Sequence, residues 1–152
     1  MTYVVLILLS ISLAFIWFFL RGRKRNERLK SLLKAGLKNP YLFEEFAREY
    51  LREHGFKTVR VTRKSKDFGA DIVAKKRGRT VVFQVKLRSS AVEKGVVKEL
   101  VAAAYIYGAV EVGVFTNGEI SQGLEKELKA IESAGGFIKR VHVVENITPE
   151  EL

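Results

Sequence analysis

The sequence predicts an α/β protein with a mixed sheet flanked by helices, preceded by one N-terminal transmembrane helix. Two observations lead to this prediction. Residues 3–20 form an apolar run interrupted only by two serines, and residues 40–144 alternate between helical and strand-like periodicity. The chain has 152 residues, which allows one ordinary domain after the apolar run.

Residues 3–20 are predicted to be a single-pass anchor, because this length of helix spans about 27 Å, close to the hydrocarbon thickness of a bilayer. Trp17 suits the membrane interface, and the basic run at 21–30 suits a cytoplasmic flank. No basic residue precedes the segment, so we expect the N-terminus outside and the rest of the chain in the cytoplasm. A cleaved signal peptide is the alternative, but its basic start and small-residue cleavage site are missing.

Residues 21–38 are predicted to be a basic juxtamembrane stalk that contacts lipid headgroups, and residues 39–152 the folded domain. Pro40 fits the first turn of a helix, and Gly55 fits its end. The periodicity predicts eight elements in the order α-β-β-β-α-β-α-β. These are a helix at 40–55, strands at 56–62, 70–75 and 80–87, a helix at about 97–108, a strand at 110–116, a helix at 120–134 and a strand at 137–144.

Composition excludes several kinds of site. The chain has no cysteine, which excludes disulfides, Cys-ligated zinc and thiol chemistry. Its two histidines, His54 and His142, are far apart in the sequence, so a local cluster of histidine ligands is excluded. A metal would therefore be held mainly by oxygen, which favours Mg²⁺, Mn²⁺ or Ca²⁺. The net charge of +10 suggests a polyanion or an anionic surface as partner.

The short turn at Arg77-Gly78 leads to the prediction of a site. A two-residue hairpin loop there places Asp71 directly across from Gln84, and Lys86 lies on the same face of its strand as Gln84. A carboxylate and a carbonyl oxygen can hold a divalent cation, and an ammonium can activate water or stabilise anionic charge. These groups are the minimum for metal-assisted phosphodiester cleavage, whereas the simpler alternative is a solvent-facing polar stretch.

Glu44 is a further candidate on the first helix, where its register with Ala47 and Leu51 predicts that it leans toward the packed side. The alternative is an ordinary first-turn acid that complements the helix dipole.

From Phe43 to about Val144, the sequence resembles the catalytic domain of Mrr-like restriction endonucleases, within the PD-(D/E)xK nuclease superfamily. The resemblance rests on Phe43-Glu44, on DFGAD at 67–71, on Gln84-Val85-Lys86 and on VFT at 114–116. It implies a restriction-endonuclease-like αβββαβ core.

The resemblance also implies roles for these residues. Asp71 and Gln84 would bind Mg²⁺ (or Mn²⁺) together with the Val85 carbonyl, Lys86 would assist the attacking water, and Glu44 would support the metal site. Gln84 stands where the superfamily usually has a second acid, so we expect a lower metal affinity than in a two-acid site. Asp67 is expected to shape the loop before Gly69 rather than to bind the metal.

DNA is the implied partner, and basic residues around the site are predicted to contact its phosphates. They are Arg63, Lys64, Lys66, Lys76, Arg77 and Arg79. A homodimer would suit cleavage of both strands, although no dimerisation motif is present.

The sequence thus predicts a membrane-anchored, metal-dependent DNA endonuclease of restriction or DNA-processing type. Three alternatives stay open. They are a non-catalytic membrane-tethered DNA-binding module with a decayed nuclease fold, a Holliday-junction-resolvase-like nuclease, and a membrane scaffold that uses the basic stalk. A resolvase would normally have a second acid in place of Gln84.

Overall fold

The computed structural model describes residues 2–62, 68–150 and 152. These residues contain four helices and five strands. The helices are α1 (Thr2–Gly36), α2 (Pro40–Glu53), α3 (Val96–Tyr107) and α4 (Gln122–Ser133), and the strands are β1 (Lys57–Val61), β2 (Ile72–Lys76), β3 (Arg79–Lys86), β4 (Glu111–Thr116) and β5 (Arg140–Val144). The predicted order of elements is therefore confirmed.

Helix α1 is continuous over 35 residues, about 52 Å, and includes both the apolar run and most of the predicted stalk. It is long and apolar enough to cross a membrane by length and composition, and none of its most apolar stretch is buried. Its C-terminal part differs, because Leu29 and Leu33 are buried in the hydrophobic core of the folded body.

Helix α2 begins where the sequence predicts. The Asn39 side chain accepts a hydrogen bond from the Tyr41 amide, and Pro40 occupies the first turn. The apolar face of α2 buries Phe43, Phe46, Ala47 and Leu51.

The five strands form one mixed sheet in the order β1-β2-β3-β4-β5. Strands β1 to β3 are antiparallel, and β3 to β5 are parallel. The mixed sheet is as predicted, since β3 continues through two helical crossovers into parallel neighbours.

The hairpin between β2 and β3 has the predicted two-residue loop. Lys76 pairs with Arg79, and both loop residues have positive φ, 50° at Arg77 and 81° at Gly78. Positive φ at both positions is typical of the type I′ turn, whose twist matches that of the strands. The predicted register then holds as far as the pair Ile72–Phe83.

Helices cover both faces of the sheet. Val81, Phe83 and Val85 pack in one cluster with α2 and the end of α1, whereas Val82 packs in the other cluster with residues of α3 and α4. The predicted alternation along β3 is therefore confirmed, and Gln84 and Lys86 lie on the face that carries α3.

Strand β2 begins two residues later than predicted. The chain bends at Asp71, and Gly69 has φ of +85°, a left-handed conformation that glycine adopts without strain. Asp71 therefore lies just before the strand rather than inside it.

Candidate active site

Asp71 lies at the point where the chain enters β2. Its Oδ2 accepts a hydrogen bond of 2.7 Å from the Val85 amide, while its own amide donates to the Phe83 carbonyl at 2.9 Å. The strand pairing ends at Ile72–Phe83. The prediction that Asp71 lies directly across from Gln84 as a regular cross-strand pair is therefore wrong. The Asp71 carboxylate nevertheless lies against β3, one residue from Gln84.

Gln84 is buried, with 4% of its surface exposed. Its Nε2 donates a hydrogen bond to the carbonyl of Gly69, two residues before Asp71. This bond and the one between Asp71 and Val85 attach residues 69–71 to the C-terminal end of β3. The chain thereby brings an acid and an amide to one end of the sheet.

Lys86 is the last residue of β3, and its side chain is 21% exposed. Its Nζ lies 3.4 Å from Oε2 of Glu99, in the first turn of α3. Sequence reasoning missed Glu99, because an acid in a first turn is ordinarily a partner of the helix dipole. Only the packing of α3 on the sheet reveals the contact.

The backbone of Val85 faces the same place as the Asp71 carboxylate. In a strand, the N–H and C=O of one residue point to the same side, and the Val85 N–H points to Asp71. The Val85 carbonyl therefore faces the edge of β3 that lies beyond the start of β2 at Ile72.

Glu44 approaches from the other side of the sheet. Phe43 lies 5.7 Å from Phe115 between ring centroids, and Phe115 pairs with Val85. The first turn of α2 therefore covers the end of the sheet where β3 finishes, and Glu44 is half-buried there. It lies on the face opposite to Gln84 and Lys86.

The oxygen atoms at this end of the sheet limit the metal chemistry. Within the described residues, no group of three or more Asp, Glu, His or Cys side chains could hold a metal ion. Asp71, Glu99 and Glu44 therefore do not all converge. A cation would need amide and backbone oxygens beside one or two carboxylates.

The predicted DNA-contacting residues form two groups, one at the β2–β3 hairpin and one outside the described residues. Lys76, Arg77 and Arg79 lie at the hairpin, which is the other end of β3 from Lys86, about 23 Å away along the strand. The prediction placed these residues around the site, but the full length of β3 separates them from Lys86. Arg63, Lys64, Lys66 and Asp67 lie outside the described residues.

Arg88 is a basic residue near the site that sequence reasoning did not select. Its amide donates to Asn117 Oδ1 at 2.8 Å, and Asn117 Nδ2 donates to its carbonyl at 3.0 Å. These bonds tie the segment after β3 to the turn after β4 and hold Arg88 two residues beyond Lys86.

A second polar cluster lies at the start of β4, away from Asp71 and Lys86. Burial raises the pKa of the Glu111 carboxyl, but hydrogen bonds from His142 and Arg79 outweigh this effect and lower the pKa below its ordinary value. His142 Nε2 lies 2.7 Å from Glu111 Oε2, and Arg79 lies 3.3 Å from Oε1. The cluster stabilises the sheet at its hairpin end.

The chain belongs to the Mrr_cat restriction endonuclease family, whose model, described as "Restriction endonuclease", matches residues 38–144. The resemblance inferred from the sequence is therefore confirmed. Asp71, Gln84, Lys86 and Glu44 all fall within the matched range.

A search of solved structures found two matches. The DNA modification-dependent restriction endonuclease AspBHI has a TM-score of 0.56 at 15% identity, over 81% of this chain and 33% of that one. This chain thus spans about a third of AspBHI. A protein of unknown function, AF1548, has a TM-score of 0.49 at 16% identity, over 67% of this chain and 55% of the other. No curated protein matches the sequence.

Proposed function

We propose that the chain is a membrane-anchored DNA endonuclease that hydrolyses phosphodiester bonds with a divalent cation, through Asp71, Gln84 and Lys86. The observation that carries the proposal is the pair of hydrogen bonds from Val85 to Asp71 and from Gln84 to Gly69. They hold the acid, the amide and the strand that ends in Lys86 at one end of the sheet. Membership of a restriction endonuclease family supports DNA as the substrate.

The donor atoms fit Mg²⁺ or Mn²⁺, because all of them are oxygens. The Asp71 carboxylate and the Val85 carbonyl face the same open edge. The Gln84 amide uses its nitrogen for Gly69, so its oxygen is the atom that would coordinate a cation. When bound, the cation would polarise the phosphodiester and lower the pKa of an attacking water.

The protein side chains orient the reacting groups. Lys86 places an ammonium at the partly exposed end of β3, where it orients the water and stabilises the negative charge that develops on the phosphate. Glu44 supports the site from the first turn of α2. The hydrogen bond from Val85 holds Asp71 in position before a cation arrives.

Contacts to DNA phosphates come from basic residues on more than one surface. We assign Arg63, Lys64 and Lys66 to the segment that leads to Asp71, and Lys76, Arg77 and Arg79 to the hairpin end. A homodimer would present two such sites to the two strands.

We assign residues 1–20 to a membrane anchor, residues 21–38 to a basic stalk and residues 39–152 to the nuclease domain. The exposed apolar side chains of α1 support the anchor. The basic run after them supports contact with anionic lipid and a cytoplasmic nuclease, with the N-terminus outside.

The test is cleavage of supercoiled plasmid by the full chain in detergent, with Mg²⁺ or Mn²⁺ and with EDTA. Asp71→Asn and Lys86→Gln should lose nicking and retain DNA binding. Glu125→Gln is the control, since it removes an acid of α4 that pairs with Lys129 rather than with a residue of the site. Equal cleavage by all four proteins would contradict the proposal.

The alternative of a non-catalytic DNA-binding module has one observation in its favour. Gln84 is buried and its amide is engaged by the Gly69 carbonyl, which is also what a purely structural glutamine would do. This alternative predicts DNA binding without metal-dependent cleavage, and binding that Lys86→Ala leaves unchanged.

A further inference from the structure

Glu99 is an acidic residue that contacts the candidate site. The sequence pattern did not select it. Its Oε2 lies 3.4 Å from Lys86 Nζ, although the two residues belong to different elements. Its side chain is 50% exposed, so it lies at the surface beside Lys86 rather than in the core.

The loop before Asp71 rests directly on Glu99. A Cβ at Gly69 would lie 3.0 Å from the Glu99 carbonyl oxygen and 3.4 Å from its Cα and Cβ. A side chain at Gly69 would crowd Glu99 and would be strained by the φ of +85°. The Gly69 carbonyl also accepts a hydrogen bond from Gln84. Gly69 therefore contacts both Gln84 and Glu99.

The side-chain charges around Gln84 suggest a functional role for Glu99. Gln84 is neutral, so on the face of the sheet that carries α3 Asp71 and Lys86 alone have no net charge, which is unfavourable for a divalent cation. With Glu99 the group becomes negative by one unit.

We propose that Glu99 supplies the second carboxylate of the metal site, from α3 rather than from position 84 of β3. Without the cation, the Glu99 carboxylate pairs with Lys86 and holds the ammonium in place. With the cation, its charge offsets the missing acid at position 84. This inference rests on the proposed function, because it assumes that Asp71 is part of a metal site.

An ordinary surface ion pair is the competing explanation. Such pairs form by chance on charged surfaces, and removing one partner leaves metal binding unchanged. Glu125 is a matched control, since it is also a first-turn acid, is also 50% exposed, and pairs with Lys129 at 2.5 Å.

The experiment is a calorimetric titration of the metal-free full chain in detergent with Mn²⁺, repeated for Glu99→Gln, Glu125→Gln and Asp71→Asn. Glu99→Gln should weaken Mn²⁺ binding about tenfold or more, whereas Glu125→Gln should match the unaltered protein. Thermal unfolding in EDTA should be the same for Glu99→Gln and Glu125→Gln, which separates a metal role from a folding role.

The outcomes distinguish this inference from the function on which it rests. Asp71-dependent Mn²⁺ binding that Glu99→Gln leaves unchanged would overturn the role of Glu99 alone. If the unaltered protein binds no Mn²⁺, or if Asp71→Asn binds as tightly as the unaltered protein, both the metal site and the role of Glu99 are wrong.

Discussion

Replacing Asp71 separates a structural role of its carboxylate from a catalytic one. Oδ2 accepts a 2.7 Å hydrogen bond from the amide of Val85, which is only 9% exposed. Asp71→Ala removes that acceptor, and an unpaired buried donor costs about 1–3 kcal/mol. Asp71→Asn keeps an oxygen that can accept the bond and removes only the negative charge.

The two variants should therefore differ in stability and agree in activity. Thermal unfolding of the full chain in detergent and EDTA measures the first effect. A chain of this length loses about 2–4 °C of midpoint per kcal/mol, so Asp71→Ala should fall by about 2–12 °C and Asp71→Asn by clearly less. Both should lose metal-dependent nicking of plasmid DNA.

Either half of this reasoning can fail separately. If Asp71→Ala unfolds at the temperature of the unaltered protein, the hydrogen bond to Val85 contributes nothing to folding. If Asp71→Asn cleaves DNA at the unaltered rate, the charge of Asp71 has no part in catalysis.

Three further changes test the fold and its surfaces. In Gly113→Ala, the new methyl carbon would overlap Cε1 of the fully buried Phe83 ring, so we expect a loss of about 1–3 kcal/mol in chemical unfolding, partly recovered by adding Phe83→Leu. Because the pKa of Glu111 is lowered in the folded state, the unaltered protein should lose stability as pH falls below the ordinary value of 4.5. Glu111→Gln should show a shallower loss over that pH range in thermal unfolding. Arg77→Gln should weaken DNA binding and reduce its salt dependence by about one counterion, without changing Mn²⁺ affinity.

The register of the β2–β3 hairpin could be predicted because a local feature fixes it. Arg77-Gly78 forms a two-residue loop, and from such a loop the pairing follows residue by residue to Ile72–Phe83. The alternation of faces along β3 then follows from strand geometry. This is how Gln84 and Lys86 were assigned to one face.

The bend at Asp71 and the contact of Glu99 could not be predicted in the same way. The register ends where Gly69 takes a left-handed conformation, and the approach of Gly69 to α3 is part of that arrangement. Glu99 meets Lys86 only because the crossover helix packs over the end of β3. Such contacts depend on tertiary packing, which local sequence patterns do not encode.

The placement of the basic hairpin was, in contrast, available from the sequence. Arg79 and Lys86 are the first and last residues of one strand, so an eight-residue strand holds them about 23 Å apart. The hairpin residues are near Asp71 and Lys86 in the sequence, which suggested that they lie near the site. The length of β3 instead requires them to lie at its opposite end.

The contacts between α1 and the folded body decide whether the predicted anchor is rigidly or flexibly connected to the body. Leu33 is fully buried, and Arg25 and Arg28 form ion pairs with Glu53 and Glu49 of α2 at 3.3 and 3.7 Å. These contacts fix the C-terminal part of α1 on the body. Exposed ion pairs contribute little, so the buried leucine should dominate.

Leu33→Ala should therefore destabilise the body by about 2–5 kcal/mol, as truncation of a buried leucine does. Leu37→Ala is the matched control, because Leu37 is 41% exposed and its loss should change stability by about 0.5 kcal/mol or less. Equal thermal midpoints for the two variants would mean that α1 is not packed on the body and acts as a tether. A lower midpoint for Leu33→Ala alone would mean that Leu33, about 20 Å of helix after Leu20, is packed on the body.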